Sequence, residues 1–249
     1  MKTVLITGAT SGIGQACARL FAQHKYQVIL CGRREDRLAE LQDELAPLTN
    51  VCTLNFDVSK KQAVANAISS LPEAFLPIDI LINNAGNAHG FDPIYSGHDA
   101  DWDAMIDTNV KGLLYVSKEV IPQMMARKSG HIINIGSVAG KEVYPKGNVY
   151  CASKFAVDAL NQGMRMDLAE FGIRVGAIHP GMVETEFSEV RFKGDKERAA
   201  KVYEGVDALQ PEDIADIIYF VVSRPNHINI TDLVVLCAAQ TSATTVHRS

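Results

Sequence analysis

Apolar residues along this chain follow two alternating patterns, short continuous runs and longer stretches spaced at three and four. The first run, Thr3-Val4-Leu5-Ile6, is continuously apolar, as a strand covered on both faces should be. Beyond a glycine-rich break, Ile13, Ala16, Cys17, Leu20 and Phe21 fall at i, i+3, i+4, i+7 and i+8, the stripe of an amphipathic helix. The pair then repeats. Gln27–Cys31, Val51–Phe56, Ile78–Ile82, His131–Ile135, Arg174–Ile178 and Leu233–Cys237 read as further strands. Helical spacing runs through Leu38, Leu41 and Leu45, from Trp102 to Arg127, around Tyr150, and from Pro211 through Ile214, Ile217, Ile218 and Val221. Such alternation predicts an α/β fold, a doubly wound parallel sheet with helices on both faces. No linker or low-complexity segment divides residues 1–249, so a single domain is expected. The polar, charged stretch from Val183 to Leu209 interrupts the rhythm. It is too long for a simple connection and is expected to be a lid. Only the tail from Gln240 looks irregular.

Composition narrows the class. With 47% hydrophobic and 21% charged residues the chain reads as an ordinary soluble globular protein, long enough to bury a large core. The net charge of −5 is modest and the basic residues form no stripe, which argues against nucleic acid as a partner. Cys17, Cys31, Cys52, Cys151 and Cys237 are odd in number and lack C-x-x-C spacing. They suggest buried free thiols in a reducing compartment, and no metal site is expected. Met1-Lys2-Thr3 leads straight into a strand, and no apolar run approaches the roughly 20 residues of a membrane span. The expected location is cytoplasmic, with no membrane partner.

Candidate chemistry begins in the first break, Thr7-Gly8-Ala9-Thr10-Ser11-Gly12-Ile13-Gly14. A glycine loop between strand and helix permits a tight turn and presents free N–H groups to an anion, so Gly8, Thr10, Ser11, Gly12, Ile13 and Gly14 are candidate nucleotide contacts. After the second strand the chain reads Gly32-Arg33-Arg34, with none of the acid that an NAD site places there for the ribose 2′-hydroxyl. Two guanidiniums suit a 2′-phosphate instead, which favours NADP, although Arg33 and Arg34 could also be solvated surface charges. Asp57 and Val58 close the third strand; there the carboxylate either caps the next helix or accepts from an adenine amine. Asn83-Asn84-Ala85-Gly86, after the fourth strand, should line the same crevice, since ligands of open parallel sheets sit beyond the carboxyl ends of the strands. Asn109 lies within a long helix, and Ser137 closes the fifth strand, where it either starts a turn or turns its hydroxyl to a reaction centre.

Tyr150 and Lys154 stand four apart on a helix that Asn148 is placed to cap, so they share one face. A free phenol titrates near 10. An ammonium about 4 Å away, at an effective dielectric near 20, is worth roughly 4 kcal/mol. Lys154 is therefore expected to lower the Tyr150 pKa by up to roughly three units, into the range where general acid/base catalysis works best.

Thr7-Gly8-x-x-x-Gly12-x-Gly14, Asn83-Asn84-Ala85-Gly86, Asn109, Ser137, Tyr150-x-x-x-Lys154, and Pro180-Gly181 with Thr185 together resemble the pattern of the short-chain dehydrogenases/reductases over essentially the whole chain. Thr185-Glu186-Phe187, Val190-Arg191-Phe192-Lys193-Gly194-Asp195, Asn226-His227-Ile228-Asn229-Ile230 and Val246-His247-Arg248 bring it nearest to the NADP-dependent 3-hydroxy acid dehydrogenases, the serine and allo-threonine dehydrogenases among them. The resemblance implies a Rossmann-type fold and hydride exchange between NADP(H) and a 3-hydroxy or 3-oxo acid. It implies Tyr150 as the proton donor or acceptor and Ser137 as the hydrogen-bond partner of the substrate oxygen. Lys154 would bind the nicotinamide ribose and Asn109 would relay protons to it. Val183 and Thr185 would engage the carboxamide, and Asn83, Ala85 and Gly86 the adenosine side. It further implies a homotetramer. A broad carbonyl reductase for neutral ketones and a catalytically silent NADP(H)-sensing protein are the alternatives, the second having no need for all four polar catalytic residues.

An acid substrate requires a cation, and Arg191 is the expected partner because its planar fork binds carboxylate through two bonds. Lys193 or a residue of the Glu142–Lys146 loop could substitute. Glu186, Glu189, Asp195 and Glu197 lie close enough in sequence to pair with both cations instead, as exposed pairs commonly do.

Overall fold

The computed structural model describes residues 1–248. Seven strands form one wholly parallel sheet in the order β3-β2-β1-β4-β5-β6-β7. They are β1 (Thr3–Thr7), β2 (Gln27–Gly32), β3 (Val51–Asn55), β4 (Ile80–Asn83), β5 (Gly130–Ile135), β6 (Ile173–Pro180) and β7 (Asp232–Val235). The connecting helices are α1 (Gly12–Gln23), α2 (Glu35–Leu45), α3 (Lys61–Ser69), α4 (Asp99–Ile106), α5 (Leu113–Ala126), α6 (Asn148–Leu168), α7 (Phe187–Arg191), α8 (Lys196–Lys201) and α9 (Pro211–Val222). No helix among the described residues is long and apolar enough to cross a membrane.

Strand alternation sorts the core into two layers. Val4 and Ile6 face α1, α2 and α9, packing with Phe21, Leu41 and Ile218. Leu5 points the other way, with Leu81 and Ile132, against Val64 of α3 and Val116 and Val120 of α5. Both faces are covered, which explains the continuous apolar runs. The strand order reverses between β1 and β4, and that reversal opens a crevice at the strands' carboxyl ends.

The expected helix from Trp102 to Arg127 is not continuous. It begins at Asp99, widens into a π-helical turn over Asp107–Gly112, and resumes as α5. Such bulges mark functional sites, and this one holds Asn109. Nor does Asn148 cap α6. Gly147 occupies the cap, and the Asn148 side chain accepts from the neighbouring Val149 N–H at 2.7 Å. The 183–209 stretch carries α7 and α8 and joins β6 to α9.

Candidate active site

A cleft of about 700 Å³ lies over the carboxyl ends of β1, β4, β5 and β6. At one end of it, the glycine loop turns into α1. Ser11 holds the cap position with extended backbone but makes no side-chain cap bond, so the first-turn N–H groups stay available to an anion. Gly14 lets the loop fold on itself: a Cβ there would lie 2.3 Å from the Gly8 carbonyl oxygen. Asn84 fastens the loop to β4, donating to Thr7 O at 2.9 Å and Gly8 O at 3.2 Å.

Arg34 lies along this loop. Its Nε donates to Thr10 Oγ1 at 3.1 Å and a terminal nitrogen to Ser11 Oγ at 2.8 Å, while the other reaches Glu186 at 2.8 Å. Arg37 holds the second Glu186 oxygen at 2.6 Å. Burial alone would raise the Glu186 pKa, but these two guanidiniums hold it below the usual carboxylate range. Arg33 is exposed and 3.8 Å from Asp57. Asp57 does not cap α3: its carboxylate accepts from Ser59 N–H at 2.9 Å, and Lys60 holds the cap position. Gly8, Thr10, Ser11, Gly12, Ile13, Val58, Ala85 and Gly86 all line the cleft. Asn83 does not. Strand alternation turns it into the core, where it donates to Ser117 Oγ and Asn134 Oδ1, both at 2.9 Å.

The other end gathers Ser137, from the turn after β5, with Tyr150 and Lys154 from α6. Lys154 donates to Ile135 O at 2.9 Å and lies 5.9 Å from the Tyr150 ring centre. Burial of the ammonium brings its pKa down to about 8. For Tyr150 the structure reverses the expectation. Burial, then Tyr144, pushes the phenol well above its ordinary value, and Arg191 and the Ser137 side chain pull it only partly back. The desolvation of a phenolate exceeds the help its neighbours give, so the phenol is neutral, a proton donor. Asn109 reaches this end from beneath. The π turn lets its Oδ1 accept from Asn87 N–H at 2.8 Å while Nδ2 donates to Asn87 O at 2.8 Å and Ser153 Oγ at 3.0 Å. A Cβ at Gly86 would lie 3.3 Å from Asn109 Oδ1 and 3.4 Å from Lys154 Nζ, so both groups face that glycine.

Val183, Thr185 and Arg191 enter the cleft from the 183–209 segment. Among the described residues, Arg191 pairs with no carboxylate. Its guanidinium lies over the rings of Tyr150 (5.0 Å), Phe187 and Phe91 (both 5.5 Å) and Tyr144 (5.6 Å), donates to the Tyr144 hydroxyl, and leaves Nε buried without a partner. Two of the acids expected to neutralise it, and Lys193, pair elsewhere. Glu186 is held by Arg34 and Arg37, Lys193 pairs with Asp101 at 2.9 Å, and Glu189 lies 3.9 Å from Lys196. Lys146 sits 5.9 Å from the Phe91 ring. Sequence reasoning assigned no role to Phe187, whose ring packs 5.5 Å from that of Tyr150, nor to Gln240, whose Oε1 accepts from Met182 N–H at 2.9 Å. The tail it read as irregular lines the cleft at Ala243, Thr244, Val246 and Arg248.

The glycine turn, the tyrosine–lysine pair and the serine on one parallel sheet define a nucleotide-dependent oxidoreductase. The chain belongs to the short-chain dehydrogenase family, whose profile matches residues 2–196. It is 46% identical over 248 residues to the NADP-dependent 3-hydroxy acid dehydrogenase YdfG of Salmonella typhi, covering 99% of each chain. It is 44% identical over 238 residues to sulfoacetaldehyde reductase 2 of Chromohalobacter salexigens, covering 95% of this chain and 94% of that one. A solved structure described as the closed form of serine dehydrogenase complexed with NADP+ superposes with a TM-score of 0.93 at 45% identity, covering 99% of this chain and 100% of the other.

Proposed function

We propose that the protein is an NADP-dependent 3-hydroxy acid dehydrogenase, exchanging a hydride between NADP(H) and a serine-like 3-hydroxy acid or its 3-oxo counterpart. The observation that carries this reading is Arg191: an arginine with no carboxylate partner among the described residues, its guanidinium 5.0 Å from the centre of the Tyr150 ring. In reduction, the neutral phenol of Tyr150 protonates the carbonyl oxygen and Ser137 holds that oxygen by a hydrogen bond. Arg191 binds the carboxylate. The cofactor supplies the hydride chemistry. Lys154 holds the nicotinamide ribose and Asn109 relays protons toward it. Val183 and Thr185 hold the carboxamide, and Ala85 and Gly86 face the adenosine side. The 183–209 segment acts as the lid, latched by Glu186. Initial rates with a panel of 3-hydroxy acids and neutral alcohols test the reading, which expects the acids to be strongly preferred. Equal rates would favour a broad carbonyl reductase.

Cofactor choice resides in Arg33 and above all Arg34, which lies against the glycine loop. Losing one charge-assisted phosphate contact costs roughly 1.5–3 kcal/mol, or about ten- to a hundred-fold in affinity. Arg34→Ala should weaken NADP binding by that factor and NAD binding much less; equal weakening in fluorescence titrations would overturn the assignment.

Cofactor affinity should also depend on pH through Lys154. Its folded pKa of about 8 lies below the ordinary lysine value, and a bound ribose stabilises the charged form and raises it. Between those two values the complex holds a proton that the free enzyme lacks, so affinity falls by about tenfold per unit as pH rises above about 8. A flat NADPH binding profile from pH 7 to 9.5 would show that the ammonium makes no such contact.

The family pattern supports a homotetramer in the cytoplasm. Leu114 on α5, Phe155 and Met166 on α6 and Val234 on β7 are apolar and exposed, as faces that pair in an oligomer are. Light scattering should give four times the chain mass of 27.1 kDa; a monomer at micromolar concentration would refute it.

A further inference from the structure

Behind the reacting groups lies a cluster of four ionisable side chains that the roles above do not use. Lys141 follows the tight turn Val138–Gly140, immediately after Ser137. Its ammonium donates to Asp158 Oδ1 at 3.0 Å and to Asp232 Oδ2 at 2.6 Å. His179, fully buried near the end of β6, places Nδ1 3.3 Å from the Ser137 carbonyl oxygen. Its Nε2 lies 3.0 Å from Asp232 Oδ1, though out of line for a hydrogen bond, and 3.8 Å from Asp158 Oδ1. Asp158 sits one turn beyond Lys154 on α6, so Tyr150, Lys154 and Asp158 form one stripe at i, i+4 and i+8.

The cluster ties the serine turn to α6, β6 and β7 at once, and the turn is tightly seated. A Cβ on Gly136 would lie 2.3 Å from His179 Nδ1, and one on Gly140 would lie 2.6 Å from the backbone oxygen of Lys154. The turn therefore rests on the backbone of the tyrosine helix, and Lys141 binds its far end to that same helix. Asp158, His179 and Asp232 offer ligand atoms within 4.8 Å of one another, but the Lys141 ammonium already bridges both carboxylates. The cluster carries its own cation and has no need of a metal.

Ser137 itself is held loosely. Its Oγ accepts from Ala139 N–H at 3.1 Å and donates to Pro180 O at 3.5 Å, so the hydroxyl goes where the turn goes. Ser137 and Tyr150 come from different elements, yet both must reach one substrate oxygen. A misplacement of about 1 Å between reacting groups can cost about a hundred-fold in rate.

We propose that Lys141, Asp158, His179 and Asp232 are positioning residues, an ionic clamp that fixes the distance between the Ser137 hydroxyl and the Tyr150 phenol. The proposal rests on reading Ser137 and Tyr150 as the reacting pair. Lys141→Met keeps the stem and removes the charge. Hydride transfer from NADPH in a single turnover, measured with and without Ser137→Ala, separates a clamp from a general structural role, because a residue that acts through Ser137 has nothing to act on once the hydroxyl is gone. Lys141→Met should slow the step roughly ten- to a hundred-fold when Ser137 is present, with NADPH affinity unchanged, and Lys141→Arg should recover most of the rate. In the Ser137→Ala background the loss should shrink to about threefold or less. Equal losses in both backgrounds, or no loss with Ser137 present, would overturn the clamp while leaving the reacting pair intact. If Lys141→Met does not fold, Asp232→Asn at the partly exposed edge of the cluster is judged by the same comparison. A full rate from Ser137→Ala alone would instead sink the reacting-pair reading, and the clamp with it.

Discussion

Tyr150→Phe should leave NADP(H) binding nearly intact while turnover falls by roughly 10²–10⁴ or more. The substitution keeps the ring, and with it the packing against Phe187 and the stack beneath Arg191, but it removes the transferable proton. Because burial keeps the phenol protonated across neutral pH, the proposed reduction would begin with a competent acid in place. Oxidation must first draw the proton away. An oxidised nicotinamide held in the cleft would bring positive charge near the phenol and so lower its pKa; Lys154 lies 5.9 Å from the ring centre. Loss of the Tyr150 proton should therefore appear in the pH profile of kcat for hydroxy acid oxidation as an apparent pKa below that of the free enzyme. Full activity in Tyr150→Phe, measured by cofactor absorbance in both directions, would remove the residue from the mechanism.

Arg191→Ala should raise KM for 3-hydroxy acids by tenfold or more and leave neutral alcohols nearly unchanged. The basis is geometric. The guanidinium lies among four rings and, among the described residues, makes no ion pair and has Nε buried without a partner. A carboxylate satisfies that donor and contributes charge-assisted bonds worth roughly 1.5–3 kcal/mol, or about ten- to a hundred-fold in binding. Arg191 also acts on the phenol of Tyr150, so part of the loss could fall on kcat. The neutral alcohol is the control, since it needs the phenol but not the anion site. Arg191→Lys should recover only part of the KM, because an ammonium cannot offer the two parallel bonds of the fork. Equal losses on acids and alcohols would make Arg191 a shaper of the lid and not a reader of the carboxylate. Sulfoacetaldehyde reductase 2, 44% identical to this chain, is named for a sulfonate. A sulfonate is a second anion that an arginine fork can hold, so acids of both kinds belong in the same comparison.

Most of the framework was readable because it is local. Continuous apolar runs, the glycine break and the i, i+4 pair of Tyr150 and Lys154 are each contained within a few residues, and the alternation of strands and helices then leaves few topologies. What escaped is what depends on neighbours distant in sequence. The spacing of Tyr150 and Lys154 pointed to Lys154 as the charge acting on the phenol, whereas the cation that lowers its pKa is Arg191 and the larger effect is the cost of burying a phenolate, which only the packed site reveals. Glu186 lies five residues from Arg191 in sequence, yet pairs with Arg34 and Arg37; no local rule anticipates a contact between the segment after β6 and the end of β2. The π turn around Asn109 has no compositional signature in Asp107-Thr108-Asn109-Val110-Lys111-Gly112. Asn83 was within reach of reasoning. In β4, Leu81 faces the α5 side of the sheet, so alternation places Asn83 on that side too, beneath Ser117 and away from the cleft.

The most direct test of the account is a crystal structure of the enzyme with NADP+ and a 3-hydroxy acid held in a dead-end complex by Tyr150→Phe. The account predicts the substrate hydroxyl within hydrogen-bond reach of Ser137 Oγ and pointing at the ring edge of residue 150. The carboxylate should lie on the Arg191 fork, and the 2′-phosphate beside Arg34. A substrate carboxylate turned away from Arg191, with the hydroxyl out of reach of Ser137, would contradict it.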